Sequence, residues 1–103
     1  MIKGIGVDIV KIDRINESIS KKVLSLEEYS LYLDMSEVRK REFLAGRFAI
    51  KEALYKAGLK EKFTDINIRY NIDNSIFLDK YPNIKISISH EREYAIGYAI
   101  IED

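Results

Sequence analysis

Hydrophobic and small or polar residues alternate at the start of the chain. Ile5, Val7 and Ile9 fall on one side of an extended segment and Gly4, Gly6 and Asp8 on the other, which predicts a strand. The second face carries two residues without side-chain bulk and then an acid, so a ligand or another backbone can come close there. The period then changes. Ile12, Ile15 and Ile19 recur at helical spacing, with Asp13, Arg14, Asn16 and Glu17 on the other side, and predict a short helix over about 12–20. Ser25 followed by Glu28 has the spacing of a capping box and opens a second short helix through Tyr29 to Leu33. Ser36 can cap the third and longest helix, from Glu37 to about Ala57, with Gly58 as its stop. Period two returns at Phe63, where Ile66, Ile68, Tyr70 and Ile72 share a face. Asp73-Asn74-Ser75 then makes a hairpin turn into Ile76-Phe77-Leu78. Beyond Pro82, Ile84, Ile86 and Ile88 alternate with Lys85, Ser87 and Ser89 and end at His90; Glu91-Arg92-Glu93 connects tightly to a last strand, Tyr94–Ile101. An N-terminal strand, three helices and then hairpin-linked strands define an α+β fold with a mostly antiparallel sheet.

The chain has 103 residues, the size of a single domain spanning 1–103. At that size a folded chain buries only roughly 60–65% of its surface, so association with further copies would help it. An apolar fraction of 47% against 33% charged residues describes a globular chain and not a disordered one. No apolar run approaches the ~18 residues of a membrane span, and Asp8 interrupts the first residues before a signal-peptide core is complete. The expectation is a cytoplasmic protein with no membrane partner. The chain has no cysteine, which excludes disulfides, thiolate zinc sites and thiol nucleophiles. It has one histidine, His90, so an all-histidine metal centre is excluded and a bound metal would rest mostly on carboxylates. That favours a hard cation such as Mg²⁺. Lys plus Arg balance Asp plus Glu at 17 each, which argues against nucleic acid as a partner.

Four places carry candidate chemistry. Asp8 can cap the following helix or face solvent, but the glycines beside it leave its face open. On the long helix, Arg47 and Lys51 fall inside the apolar arc formed by Phe43, Leu44, Phe48, Leu54 and Tyr55. Either their stems pack while their heads reach water, or both line a buried anion site. Glu52 and Lys56, one turn apart on the flank of that arc, form either an exposed i,i+4 pair or part of the same site. His90 ends a strand, as a hydrogen-bonding structural residue or a ligand-binding one. Together, two acids, several cations, one histidine and no thiol suit a Mg²⁺-bound phosphate or pyrophosphate. Such a site works mainly by positioning and charge neutralisation.

Three segments resemble the holo-acyl-carrier-protein synthases, the short bacterial-type 4′-phosphopantetheinyl transferases. They are Gly4-Ile5-Gly6-Val7-Asp8-Ile9-Val10 with Ile12-Asp13-Arg14-Ile15; Arg41 to Ala53 continuing to Lys56-Ala57; and Ile86-Ser87-Ile88-Ser89-His90 with Glu93-Tyr94-Ala95. They occur in the family's order and span nearly the whole chain. The resemblance implies that a serine of an acyl carrier protein attacks the β-phosphate of coenzyme A, taking phosphopantetheine and releasing 3′,5′-ADP. It implies Asp8 and Glu52 as Mg²⁺ ligands, Lys56 and Lys51 near the pyrophosphate, and Arg47 and His90 at the nucleotide end with its 3′-phosphate. Arg14 would meet the acidic carrier, with Lys21 and Lys22 at the end of the first helix adding to the docking surface. The serine proton has two candidate acceptors, Glu52 and a water on the metal; coordination weakens a carboxylate as a base, which favours the water. The resemblance further implies a homotrimer with sites between subunits. The sequence departs from the family in three places. Gly58-Leu59-Lys60-Glu61-Lys62 replaces a glycine-rich turn that often helps to hold phosphate, Asp73-Asn74-Ser75-Ile76 replaces the usual hairpin, and a helix before Ile84 is missing.

Overall fold

The computed structural model describes residues 1–103. The chain runs β1 (Ile2–Lys11), α1 (Ser20–Val23), α2 (Leu26–Leu33), α3 (Glu37–Ala57), β2 (Ile68–Tyr70), β3 (Ile76–Leu78), β4 (Ile84–His90) and β5 (Tyr94–Glu102), with 3₁₀ turns at Ile12–Arg14, Glu17–Ile19 and Phe63–Asp65. β1, β5 and β4 form an antiparallel sheet in that order, and β2 and β3 form a separate antiparallel hairpin. This is the α+β fold the pattern predicts.

The long helix packs across one face of the sheet, and small residues set how close it comes. Ala45, Ala49, Ala53 and Ala57 recur every fourth position, so they share one face of α3, and all four are buried. They meet the glycine face of the sheet. A Cβ on Gly6 would collide with the Ala53 carbonyl oxygen, and one on Gly97 would lie 2.5 Å from the Ile50 Cα. The face of β1 left open by its glycines is therefore filled by another backbone. Val10, Ile12 and Ala95 close one end of this contact. On another side of α3, Phe43 and Leu44 hold α1 and α2 through Val23, Leu24 and Tyr32. Ile50 and Leu54 tie the β2–β3 hairpin to the sheet through Ile66, Ile68, Leu78 and Ile84.

The helix starts follow the sequence closely. Ser25 Oγ accepts from the Glu28 N–H while Glu28 Oε1 accepts from the Ser25 N–H, a complete capping box. Ser36 caps α3, which ends at Gly58 with φ 129°. Two expectations are corrected. The helix predicted over 12–20 is broken, because Ile15 and Asn16 are extended and the Asn16 side chain accepts from the Ser18 N–H. β-branched isoleucines and an asparagine that caps its own turn both oppose a continuous helix here. Period two also starts later than Phe63: residues 63–65 form a 3₁₀ turn and Ile72 lies exposed in the hairpin turn.

The other face of the sheet stays open. Ile5, Val7 and Ile9 are 56%, 52% and 60% exposed. Their cross-strand partners on β5 are Ile100, Tyr98 and Ile96. This is a contiguous apolar surface on an otherwise charged protein.

The close contact at Gly97 makes a direct prediction. Gly97→Ala should destabilise the protein by about 2 kcal/mol or more, because the added methyl meets helix backbone that cannot rotate away. Urea unfolding measures this, and an unchanged midpoint would contradict the described contact.

Candidate active site

Asp8 lies two residues beyond Gly6 on the helix-facing side of β1, and its cross-strand partner is Gly97. Glu52 and Lys56 flank Ala53 on α3, so the helix–sheet contact brings them to the same place. Lys56 Nζ donates to Asp8 Oδ1 at 3.0 Å and to the Val7 carbonyl at 3.3 Å. The ion pair that the sequence allows between Glu52 and Lys56 does not form; Lys56 turns to Asp8 instead. Asp8, Glu52 and Arg14 line one cleft of about 570 Å³ whose apolar wall includes Ile15 and Phe48. Asp8 is mostly sheltered, its side chain 18% exposed, and its Oδ2 has no donor within the chain.

This donor set fits a magnesium ion. Two carboxylates from different elements offer oxygen ligands only. Asp8 and Glu52 would hold such an ion through oxygen alone and leave the rest of its ligands to water and phosphate, as suits Mg²⁺.

Arg47 and His90 come together elsewhere. They line a second cleft of about 320 Å³ on the other flank of α3, with Arg39, Tyr70 and Ser87. The Arg47 guanidinium lies 4.3 Å from the centre of the Phe43 ring, and its Nη2 donates to the Tyr70 hydroxyl at 3.2 Å. His90 stands exposed at the end of β4 and also borders another cleft with Ile9 and Ile96, on the open sheet face.

Lys51 corrects the sequence reading. It does not stand at a ligand surface, because its side chain is fully buried. Nζ donates to Glu28 Oε1 at 2.6 Å and to the carbonyls of Val23, Phe63 and Ile66 at 2.8, 2.9 and 2.8 Å. Four acceptors saturate its three protons. Burial pulls this ammonium below its ordinary value, and the charge and hydrogen bond of Glu28 act against that. Lys51 ties α1, α2 and the Phe63 turn to α3. The two cations in the apolar arc part ways: the Lys51 head neither reaches water nor lines a ligand site but is held in the core, while Arg47 reaches the wall of a cleft.

Two residues of this region escape the sequence reading. The capping box reveals Glu28 as a local cap, but its pairing with Lys51 spans 23 positions and leaves no local trace. Tyr70 alternates with its neighbours like any strand residue, and only the fold places it beside Arg47. Arg14 lies on the rim of the Asp8 cleft, while Lys21 and Lys22 are exposed on α1, outside it. Lys21 Nζ sits 5.9 Å from the centre of the Tyr29 ring.

The family model of the 4′-phosphopantetheinyl transferase superfamily matches residues 4–99. The chain belongs to this family of transferases. A holo-[acyl-carrier-protein] synthase of Petrotoga mobilis is 41% identical over 117 residues, covering 100% of this chain and 98% of the relative. That alignment is longer than this chain, so the relative carries residues missing here. The crystal structure of the Bacillus anthracis holo-(acyl-carrier-protein) synthase in complex with CoA (3′,5′-ADP) superposes with a TM-score of 0.89 at 32% identity, covering 98% of this chain and 96% of that one. The Helicobacter pylori holo-[acyl-carrier-protein] synthase in complex with coenzyme A gives a TM-score of 0.72 at 34% identity, covering 95% and 99%. The two clefts lie on different flanks of α3.

Proposed function

We propose that this phosphopantetheinyl transferase moves 4′-phosphopantetheine from coenzyme A to a serine of an apo acyl carrier protein, releasing 3′,5′-ADP. The observation that carries this reading is the meeting of Asp8 and Glu52 at one cleft, with Lys56 hydrogen-bonded to Asp8. Solved relatives holding coenzyme A or CoA (3′,5′-ADP) support the donor, and the relative's name supports the acceptor.

In the reaction, the serine oxygen forms a bond to the β-phosphorus. The bond from that phosphorus to the bridging oxygen breaks, 3′,5′-ADP leaves with the electron pair, and the serine proton passes to a water in the cleft, with Glu52 as the other candidate acceptor. Asp8 and Glu52 would hold the magnesium, which when bound neutralises charge on the pyrophosphate. Lys56 keeps a cation at the same place, anchored by the Val7 carbonyl and Asp8 but with its side chain 53% exposed, so its remaining proton can reach a phosphate oxygen. Arg47 and His90 take the nucleotide end, where a guanidinium and an imidazole suit the 3′-phosphate. Arg14, on the rim of the Asp8 cleft, together with Lys21 and Lys22 on the neighbouring surface, offers local positive charge to an acidic carrier although the net charge is zero.

The chain functions as a homotrimer with its sites between subunits. Two observations support this. The open apolar face of β1 and β5 needs a cover, and His90 borders that face. The Asp8 and Arg47 groups also line different clefts within one chain, so one long ligand can take them from neighbouring copies.

The deciding experiment incubates the protein with coenzyme A, Mg²⁺ and an apo carrier protein and weighs the carrier. A gain of one phosphopantetheine is expected; an unmodified carrier with CoA still bound would instead indicate a non-catalytic binding module. Asp8→Asn and Glu52→Gln should each fold and lose at least about 100-fold in rate, the scale of removing one charge-stabilising group. A normal rate in either at low Mg²⁺ would remove that residue from the metal site. Light scattering should give the mass of three chains, and Val7→Glu on the apolar face should split that particle and abolish turnover. A fully active monomer would contradict the shared site.

A further inference from the structure

Three charged side chains are buried together beneath the Arg47 cleft. Glu28 is 0% exposed, Lys51 0% and Arg47 4%. Glu28 uses both oxygens. Oε1 accepts from Lys51 Nζ at 2.6 Å and from the Ser25 N–H at 2.9 Å. Oε2 accepts from the Ile68 N–H at 2.9 Å and lies 3.5 Å from Arg47 Nε. One carboxylate thus faces two cations, and the cluster carries one positive charge more than it can cancel.

That surplus has one outlet. Lys51 is sealed by four oxygens, whereas Arg47 is not. Its Nη2 donates to Tyr70, its Nε is buried without a hydrogen bond, and its Nη1 has no partner in the chain. The other charges beside the cleft do not offset it, because Glu42 is already paired with Arg39 at 3.3 Å. Phe43 below and Tyr70 beside the guanidinium are neutral, so Glu28 is the only acid that orients it.

We infer that Glu28 is a positioning residue for substrate binding: from the core, its carboxylate holds the Arg47 guanidinium against the cleft wall with a free donor presented to an anionic group of the nucleotide. The inference rests on the transferase reading above, which assigns Arg47 to the nucleotide end. Lys51 balances Glu28 on its other oxygen. Without Glu28, two cations would share one buried region with no counter-charge, and Arg47 would swing out of register. The capping box and this role use the same side chain, so the start of α2 is coupled to the nucleotide cleft.

The test must separate positioning from folding. Glu28→Gln alone leaves Lys51 unpaired in the core and can fail to fold. Glu28→Gln with Lys51→Met removes both members of the pair and leaves the net charge of the buried cluster unchanged. Thermal melts establish that this double variant folds, and calorimetry measures its binding of 3′,5′-ADP. We expect affinity to fall about 10-fold or more, the scale of a charge-assisted hydrogen bond. The KM for coenzyme A should rise while the KM for the carrier stays unchanged. Arg47→Met should show a similar loss, and combining all three substitutions should add nothing, since Glu28 acts only through Arg47. In the wild type, the Arg47 Nε–H proton should give a sharp, exchange-protected NMR signal with and without 3′,5′-ADP. Double-variant affinity within twofold of wild type, additive losses, or a solvent-averaged Nε–H signal would overturn the inference and leave the transferase reading intact. A wild type that binds no 3′,5′-ADP would overturn both.

Discussion

The structure depends on one close approach, the backbone of α3 against the backbones of β1 and β5. Side chains at Gly6 and Gly97 would occupy space taken by Ala53 and by Ile50 of the helix. Alanine on one side and glycine on the other let main chain touch main chain, and this sets where the neighbouring residues can reach. Asp8 follows Gly6 on the same face and pairs across the sheet with Gly97. Glu52 and Lys56 adjoin Ala53 on the helix. If larger residues held the helix further off, Asp8 and Lys56 could not meet at 3.0 Å. The proposed metal site sits beside this joint, where main chain meets main chain.

A second constraint acts inside the core. Burying charge in a chain of this size is costly unless each charge is paired and hydrogen-bonded. Glu28 and Lys51 meet that condition, with every oxygen and proton engaged. Their hydrogen bonds join the short α1, the capped end of α2, and the strand that begins at Ile68. The pairing also leaves Arg47 as the incompletely satisfied member of the group, at the wall of a cleft. An Arg beside an open cleft with a spare donor is poised for an anion.

Local patterns were legible in the sequence wherever a local rule decides the structure. The capping box at Ser25, the start of α3 at Ser36, its end at Gly58, and the strand ending at His90 all follow from short-range chemistry. Asp8, Glu52 and Lys56 were legible as candidates through motif resemblance, and the glycines foretold a close approach on the Asp8 face. Whether backbone or ligand would fill that space was not legible, because the alanine stripe that fills it lies about fifty residues away in sequence. The same limit explains Lys51. Its position in the apolar arc was read correctly, but its acid partner is on another helix, and nothing near Lys51 announces it. The failed helix over 12–20 has the opposite cause: its isoleucine spacing was real, and local capping by Asn16 outweighed it.

The central claim is that the α3–β1 contact places two carboxylates on one metal ion. Mn²⁺ binding followed by electron paramagnetic resonance in the presence of coenzyme A tests it most directly, on the wild type, Asp8→Asn, Glu52→Gln and the double variant. One Mn²⁺ per chain should bind to the wild type, either single substitution should weaken that binding strongly, and the double variant should bind little more weakly than the singles, since both acids serve one ion. Undiminished Mn²⁺ binding in either single variant would contradict the account.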